Sequence, residues 1–234
     1  MNKLGCRVLS VLIICFGILT ISTPVMSAED FDGVYSGTLS GRHSGPLVAI
    51  VSGTSIKFLF WSESLNSVDG AAFTLDDFGD FDGDTEREAV TIDGKISGNT
   101  VSGTWVDNAD GGSFLGSKST QEVAKYAGSY SGTYEGDFSG QWHITVLESG
   151  YLVGAIKSGN SQFTIDGGVN NDGAVIAYAA QESIGMYGTI VGSGISGKWT
   201  DGDNGDSGTF TSASSATDSD SETTTSGCFL NSIY

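Results

Sequence analysis

The sequence predicts an all-β protein made of two tandem copies of one antiparallel meander of about 90 residues. Three observations carry this prediction: sequence blocks recur in the same order, short apolar runs alternate with a two-residue period, and 35 of the 234 residues are glycine. Two-residue alternation is typical of strands with one buried face, and glycine reaches the positive φ that tight hairpin turns need. No window shows helical periodicity, so we expect little helix after residue 28.

The duplication is visible in three pairs of blocks. YSGTLSGRHSG at Tyr35 recurs as YSGTYEGDFSG at Tyr130, FTLDDFGDFDG at Phe73 matches FTIDGGVNNDG at Phe163, and GNTVSGTWVD at Gly98 matches GSGISGKWTD at Gly192. The offsets are 95, 90 and 94 residues, which indicates small insertions and deletions in turns. We expect modules at residues 29–119 and 120–212, each with about eight strands. They could form two small barrels or sandwiches, or pair into one pseudo-twofold body.

The first 28 residues have the features of a secretory signal peptide. Lys3 and Arg7 precede an apolar stretch at 8–21, and Met26-Ser27-Ala28 is a small-residue cleavage site. The stretch is shorter than the roughly 18 to 20 residues that cross a bilayer as a helix. The protein is therefore expected to be exported to the periplasm, the cell surface or the medium, with no transmembrane helix in the mature chain.

Removal of the signal peptide would leave eight basic residues against 28 acidic ones, a net charge of −20. Such a surface repels nucleic acid and anionic lipid, which excludes those partners. Cys6 and Cys15 would leave with the signal peptide, so the mature chain could form no disulfide within itself.

The C-terminal segment, residues 213–234, is predicted to be a disordered acidic Ser/Thr tail that ends in CFLNSIY. It is similar to C-terminal tags of some secreted bacterial proteins, in which a Gly/Ser linker precedes Cys-Phe-Leu. We expect Cys228 either to attach the protein to another molecule, including a second chain, or to be a passive thiol at a frayed terminus.

One hairpin carries a family resemblance. The stretch GTYEGDFSGQWHITVLESGYLVGAI from Gly132 resembles the opening hairpin of avidin-type barrels. The resemblance implies a hairpin meander. It does not imply biotin binding, because the positions that correspond to polar biotin contacts are Gly136, Gly140 and Ile156.

Acidic turns are the most repeated polar feature, and clustered carboxylates are ligands that Ca²⁺ prefers. The candidates for a weak calcium site are Asp80, Asp82, Asp84, Asp107, Asp110, Asp201, Asp203 and Asp206. The alternative is that these residues cap turns and tolerate a left-handed backbone. No EF-hand is present, because a loop with Gly83 at its sixth position would begin at Phe78. No other cofactor is expected.

Catalytic patterns are scarce. His43 and His143 do not align between the copies, which excludes a duplicated histidine-based site, and no Gly-x-Ser-x-Gly lies between a strand and a helix. Trp105 and Trp199 occupy equivalent places and are expected in the cores. The run Ser55–Trp61 is apolar on both faces, which predicts a strand buried on both sides where the modules meet. Alternatively, it lines an apolar lumen or surface.

These observations favour an exported, non-enzymatic protein that binds or displays something, with a protein, a glycan or a small apolar molecule as its partner. The alternative is a calycin-like carrier that holds a small apolar molecule in a barrel lumen. A hydrolase acting on an extracellular polymer is a third hypothesis.

Overall fold

The structure is a computed structural model that describes residues 31–85, 90–108 and 110–212. The predicted signal peptide at 1–28, the predicted tail at 213–234 and Cys228 lie outside the described residues. No helix in the described part of the chain is long and apolar enough to cross a membrane.

The first half of the chain forms an eight-stranded antiparallel sheet. Its strands are β1 (Gly33–Ser40), β2 (Gly45–Ser52), β3 (Ser55–Ser62), β4 (Ser67–Thr74), β5 (Asp80–Asp84), β6 (Thr91–Ser97), β7 (Thr100–Asp107) and β8 (Asp110–Lys118). Because β1 pairs with both β2 and β8, the meander curls into a nearly closed barrel with β4 and β5 at its two edges.

Side chains close most of the gap between β4 and β5. The hydroxyl of Thr85 donates to the buried Asp69 carboxylate at 2.8 Å. The Phe73 and Phe81 rings stack across the gap with centroids 6.0 Å apart. At the connecting turn, the Asp76 amide donates to the Asp80 carbonyl at 3.0 Å. Between β4 and β5, where the strands are not paired, the first barrel is therefore closed by side-chain packing and hydrogen bonds.

The second half forms a closed eight-stranded barrel in which β9 pairs with both β10 and β16. Its strands are β9 (Gly128–Gly136), β10 (Gly140–Val146), β11 (Tyr151–Ser158), β12 (Ser161–Val169), β13 (Ala174–Ala179), β14 (Ile184–Val191), β15 (Gly194–Asp201) and β16 (Ser207–Ser212). Short 3-10 helices lie at Gln121–Tyr126, in the segment that links β8 to β9, and at Ala180–Glu182, between β13 and β14. The prediction of an all-β fold with two eight-stranded meanders is confirmed.

Equivalent hydrogen bonds show that the two barrels repeat one plan. The hydroxyls of Tyr35 and Tyr130 each donate to a carbonyl four residues earlier, both at 2.9 Å. The indole of Trp105 donates to the Ser40 carbonyl at 2.9 Å, and the indole of Trp199 donates to the Glu135 carbonyl at 3.0 Å. Both tryptophans are buried, as the sequence predicted.

The structure corrects one of the three block matches. The Asp76 carboxylate caps its turn by accepting from two backbone amides, and the Asn170 side chain does the same after β12. These residues are 94 positions apart, so the match of Phe73 with Phe163, at an offset of 90, is wrong by four residues. The cause is a chance recurrence of Phe-Thr-apolar-Asp at a different depth along the strand.

The two barrels pack against each other through one wall each. A buried apolar cluster joins Val34, Val48, Leu59, Trp61 and Val68 of the first barrel to Ile176 and Tyr178 of the second. Trp61 also stacks on Tyr187, with ring centroids 5.0 Å apart, and Lys57 forms an ion pair with Asp166.

Strand β3 takes part in this contact and in the core of the first barrel. Phe58 and Phe60 point into the first barrel's core, while Leu59 and Trp61 point into the cluster between the barrels. The prediction that Ser55–Trp61 is buried on both faces where the modules meet is confirmed.

Candidate ligand-binding site

Each barrel has one end where its odd-numbered strands finish and its even-numbered strands begin, and we call this end the mouth. In the second barrel the mouth contains the β9–β10, β11–β12, β13–β14 and β15–β16 turns. A cavity of about 270 Å³ opens there.

The cavity has apolar walls and a polar rim. Its apolar lining consists of Tyr134, Phe138, Ile156, Phe163, Ile184, Met186 and Trp199. Its polar lining consists of Ser158, Ser161, Glu182, Asp201 and Asn204. The alternation of β14 explains one wall, because Ile184 and Met186 point into the barrel while Gly185 and Tyr187 face the first barrel.

The side chains around Trp199 are held in place by contacts within the protein. Its indole nitrogen is tied to the Glu135 carbonyl, and its ring meets Tyr134 edge to face with centroids 5.6 Å apart. Phe138, on the β9–β10 turn, has its ring 6.4 Å from Trp199 and is half exposed. The cavity therefore has a rigid aromatic side and one aromatic residue at its entrance.

The acidic part of the rim is also held in place. Asp201 ends β15, and its carboxylate accepts hydrogen bonds from the Asp203 and Asn204 amides and from the Asn204 side chain. Glu182 lies in the short 3-10 helix before β14. The described residues that line the cavity include no lysine, arginine or histidine.

At the mouth of the second barrel an isoleucine takes the place of an aromatic residue of the first. Trp142 pairs with Ile156 where Leu47 pairs with Phe60, so Ile156 is the counterpart of Phe60 and Gly154 that of Phe58. In the first barrel the Phe58 ring packs 4.9 Å from that of Phe114 and helps to fill the interior. In the second barrel this part of the interior is filled from a neighbouring strand, because Ile144 packs over Gly154 and the Trp142 ring lies 5.6 Å from that of Phe210.

The mouth of the first barrel is closed by its own side chains. His43, the counterpart of Phe138, is only 2% exposed, and its ring lies 4.9 Å from that of Trp105. Its Nε2 is 3.0 Å from an Asp107 oxygen and its Nδ1 is 3.2 Å from the Ser62 hydroxyl. The hydrogen bond with His43 holds the pKa of the Asp107 carboxyl below its usual range.

A serine, a histidine and an aspartate in contact resemble a hydrolase triad, but their burial argues for a structural role. A nucleophilic serine must reach the carbonyl it attacks, whereas Ser62 is fully buried. Sequence reasoning missed this cluster because Ser62 and Asp107 lie 19 and 64 residues from His43. Only the closure of the barrel brings them together.

The predicted calcium ligands are distributed along the barrels. Asp80 pairs with Lys95, Asp110 with Arg42, and Asp84 accepts from the Thr91 hydroxyl. The remaining candidates are Asp82, exposed on β5, Asp107, bound to His43, Asp201, which caps its turn, and Asp203 and Asp206 in the turn that follows. Among the described residues, no three His, Cys, Asp or Glu side chains are grouped so as to hold a metal ion. Weak calcium binding stays a prediction.

A second concavity of about 430 Å³ lies along β9, β10 and β11 of the same barrel. Its lining includes Gln141, His143, Lys157 and Gln162. These side chains are exposed or partly exposed on the outer face of the barrel, so this concavity is separate from the mouth.

Comparisons with known proteins assign no family to this chain. No protein-family model matches the chain, and no curated protein matches it. Among solved structures, it is similar to a mutant of the vaccine antigen transferrin binding protein B from Haemophilus parasuis, with a TM-score of 0.26 and 9% sequence identity. The match covers 72% of this chain and 53% of that chain, so the present chain spans about half the length of that protein.

Proposed function

We propose that this protein is an exported, non-enzymatic binding protein that holds a small, largely apolar molecule in the mouth of its second barrel. The observation that carries the proposal is the contrast between the two mouths. His43 fills the first, whereas the second is an open cavity with preformed aromatic and aliphatic walls.

The shape and lining of the cavity support this function. Ligand sites are concave, mostly apolar and largely preformed, with a few polar groups that orient the ligand. A volume of about 270 Å³ lies just below the range of roughly 300 to 1,000 Å³ for drug-sized ligands. The expected ligand is therefore small, with a short alkyl chain or a single ring system.

The closed barrel supports the same conclusion. All eight of its strands are paired on both sides, so the walls are held by continuous ladders. A ligand that enters a rigid site loses less binding free energy to ordering of the protein. These features favour the carrier hypothesis over the display of a protein- or glycan-binding surface.

The test fills the second mouth with a larger side chain. Ile156→Phe introduces the counterpart of Phe60, and Val191→Phe adds similar bulk at an exposed position on the opposite end of the same barrel. Binding of octan-1-ol to the mature chain is measured by calorimetry, with displacement of the dye ANS as a second readout. We expect Ile156→Phe to weaken binding by about tenfold or more, equivalent to about 1.4 kcal/mol, and Val191→Phe to leave it unchanged.

A second variant guards against misfolding of the first. Phe138→Ala removes a half-exposed aromatic wall without disturbing the core, so it should weaken octanol binding while far-ultraviolet circular dichroism and the melting temperature stay the same. The proposal would be wrong if the wild-type protein showed no saturable binding, or if neither mouth variant changed it.

A further inference from the structure

We infer that the ligand of the second mouth is cationic: an organic ammonium group on an apolar body. This inference rests on the proposed function and specifies its ligand class. The described lining contains two carboxylates, Glu182 and Asp201, and no basic residue. An apolar cavity with only negative charge at its rim favours a molecule with a positive end.

The first barrel shows what the carboxylate at this position binds. Asp107 ends β7 as Asp201 ends β15, and Asp107 contacts a basic side chain of its own chain, His43. In the second barrel the histidine position is taken by Phe138, whose side chain has no polar atom to contact a carboxylate. A ligand ammonium at this mouth would contact Asp201 as the His43 ring contacts Asp107 at the other.

Neither rim carboxylate is neutralised by the described residues. The three groups that donate to Asp201 are backbone and side-chain amides, which orient the carboxylate without cancelling its charge. Glu182 is exposed and forms no ion pair with any residue that the structure describes. A cation at the rim would therefore meet two negative charges beside low-dielectric walls, where attraction is stronger than in open water.

The aromatic rings add a second source of affinity for a cation. Three aromatic rings lie side by side in the cavity wall, with the centroid of Trp199 5.6 Å from that of Tyr134 and 6.4 Å from that of Phe138. A cation within about 6 Å of an aromatic ring is attracted by the ring's negative face, and tryptophan is the strongest partner. The same rings would contact the apolar body of the ligand.

The experiment compares three probes that share an eight-carbon chain and differ in the charge of the head group: octylamine, octan-1-ol and octanoate. Calorimetry with the mature chain at neutral pH should show octylamine binding about tenfold or more tightly than octanol, with octanoate weakest. Added salt should reduce the preference for octylamine, because the rim is exposed to solvent.

Two double variants locate the charge that is responsible. Glu182→Gln with Asp201→Asn should reduce the ratio of octylamine affinity to octanol affinity to about threefold or less, because the variant removes both rim charges. Glu148→Gln with Asp172→Asn removes the same charge from the turns at the opposite end of the barrel and should preserve the preference.

The outcomes separate the two proposals. Equal binding of all three probes would overturn the ammonium inference and leave the apolar site in place. An equal loss of preference in both double variants would overturn it too, because the net charge of the protein would then be the cause. Absence of binding by all three would remove the proposed function itself.

Discussion

Gly168 on β12 lies where the walls of the two barrels meet, and replacing it with alanine should disturb their packing. A Cβ atom added at Gly168 would lie 2.5 Å from Cγ1 of Val48 and 3.2 Å from Cγ1 of Val34. Ordinary van der Waals contacts of a Cβ begin at about 3.4 Å, so a shift of about 1 Å is needed. Overpacking of a buried site costs about 1 to 3 kcal/mol, and we expect Gly168→Ala to lower the free energy of unfolding by that amount.

A second substitution tests whether this contact is the cause. Val48→Ala removes the methyl group that the new Cβ would meet, and on its own it should cost about 1.5 to 2.5 kcal/mol through lost burial and a small cavity. In the double variant the new methyl group occupies part of the vacated space. The two changes together should therefore cost about 1 to 2 kcal/mol less than the sum of the single variants.

The assay is urea denaturation of the mature chain, followed by tryptophan fluorescence and circular dichroism. Gly194→Ala is the control, because the nearest atom to its added Cβ is the Ser212 hydroxyl oxygen at 3.3 Å, and it should change stability by less than about 1 kcal/mol. If the Gly168 and Val48 variants were additive within about 0.5 kcal/mol, the barrels would not be packed through this wall in solution.

Three further predictions concern titration and metal. Burial raises the pKa of Tyr35 to about 12. Tyr35 therefore stabilises the fold below about pH 10 and loses that contribution as the pH rises through about 12. Over this pH range the melting temperature of Tyr35→Phe should fall less than that of the wild type. The hydrogen bond with His43 keeps the pKa of Asp107 low. The contribution of the Asp107 carboxylate to stability is therefore present above about pH 4 and is lost as the pH falls through the lowered pKa. The difference in melting temperature between the wild type and Asp107→Asn should shrink on acidification. Because most candidate carboxylates already have partners in the chain, circular dichroism should retain a β spectrum in excess chelator, and calorimetry should detect calcium binding no tighter than about 10⁻⁴ to 10⁻³ M.

The sequence predicted the fold well because its signals are local. Two-residue alternation and glycine at the turns are properties of short segments, and the apolar run from Ser55 to Trp61 shows its two buried faces without any knowledge of the partner strand. The mouths are different, because they depend on which residues face each other across a barrel. Ile156 and Phe60 become counterparts only through strand register. The displaced match of Phe73 with Phe163 concealed such equivalences.

The contact between the barrels also bears on the ligand site, because β14 serves both. Ile184 and Met186 line the cavity from one face of this strand. On the other face, Gly185 would place a Cβ 2.4 Å from that of Val68, and Tyr187 stacks on Trp61. Because this face of β14 packs against the first barrel, the strand cannot move away from the cavity without breaking that contact. The first barrel therefore keeps this wall of the cavity rigid. In this arrangement the filled barrel supports the open one, and under the proposed function the two copies have different parts.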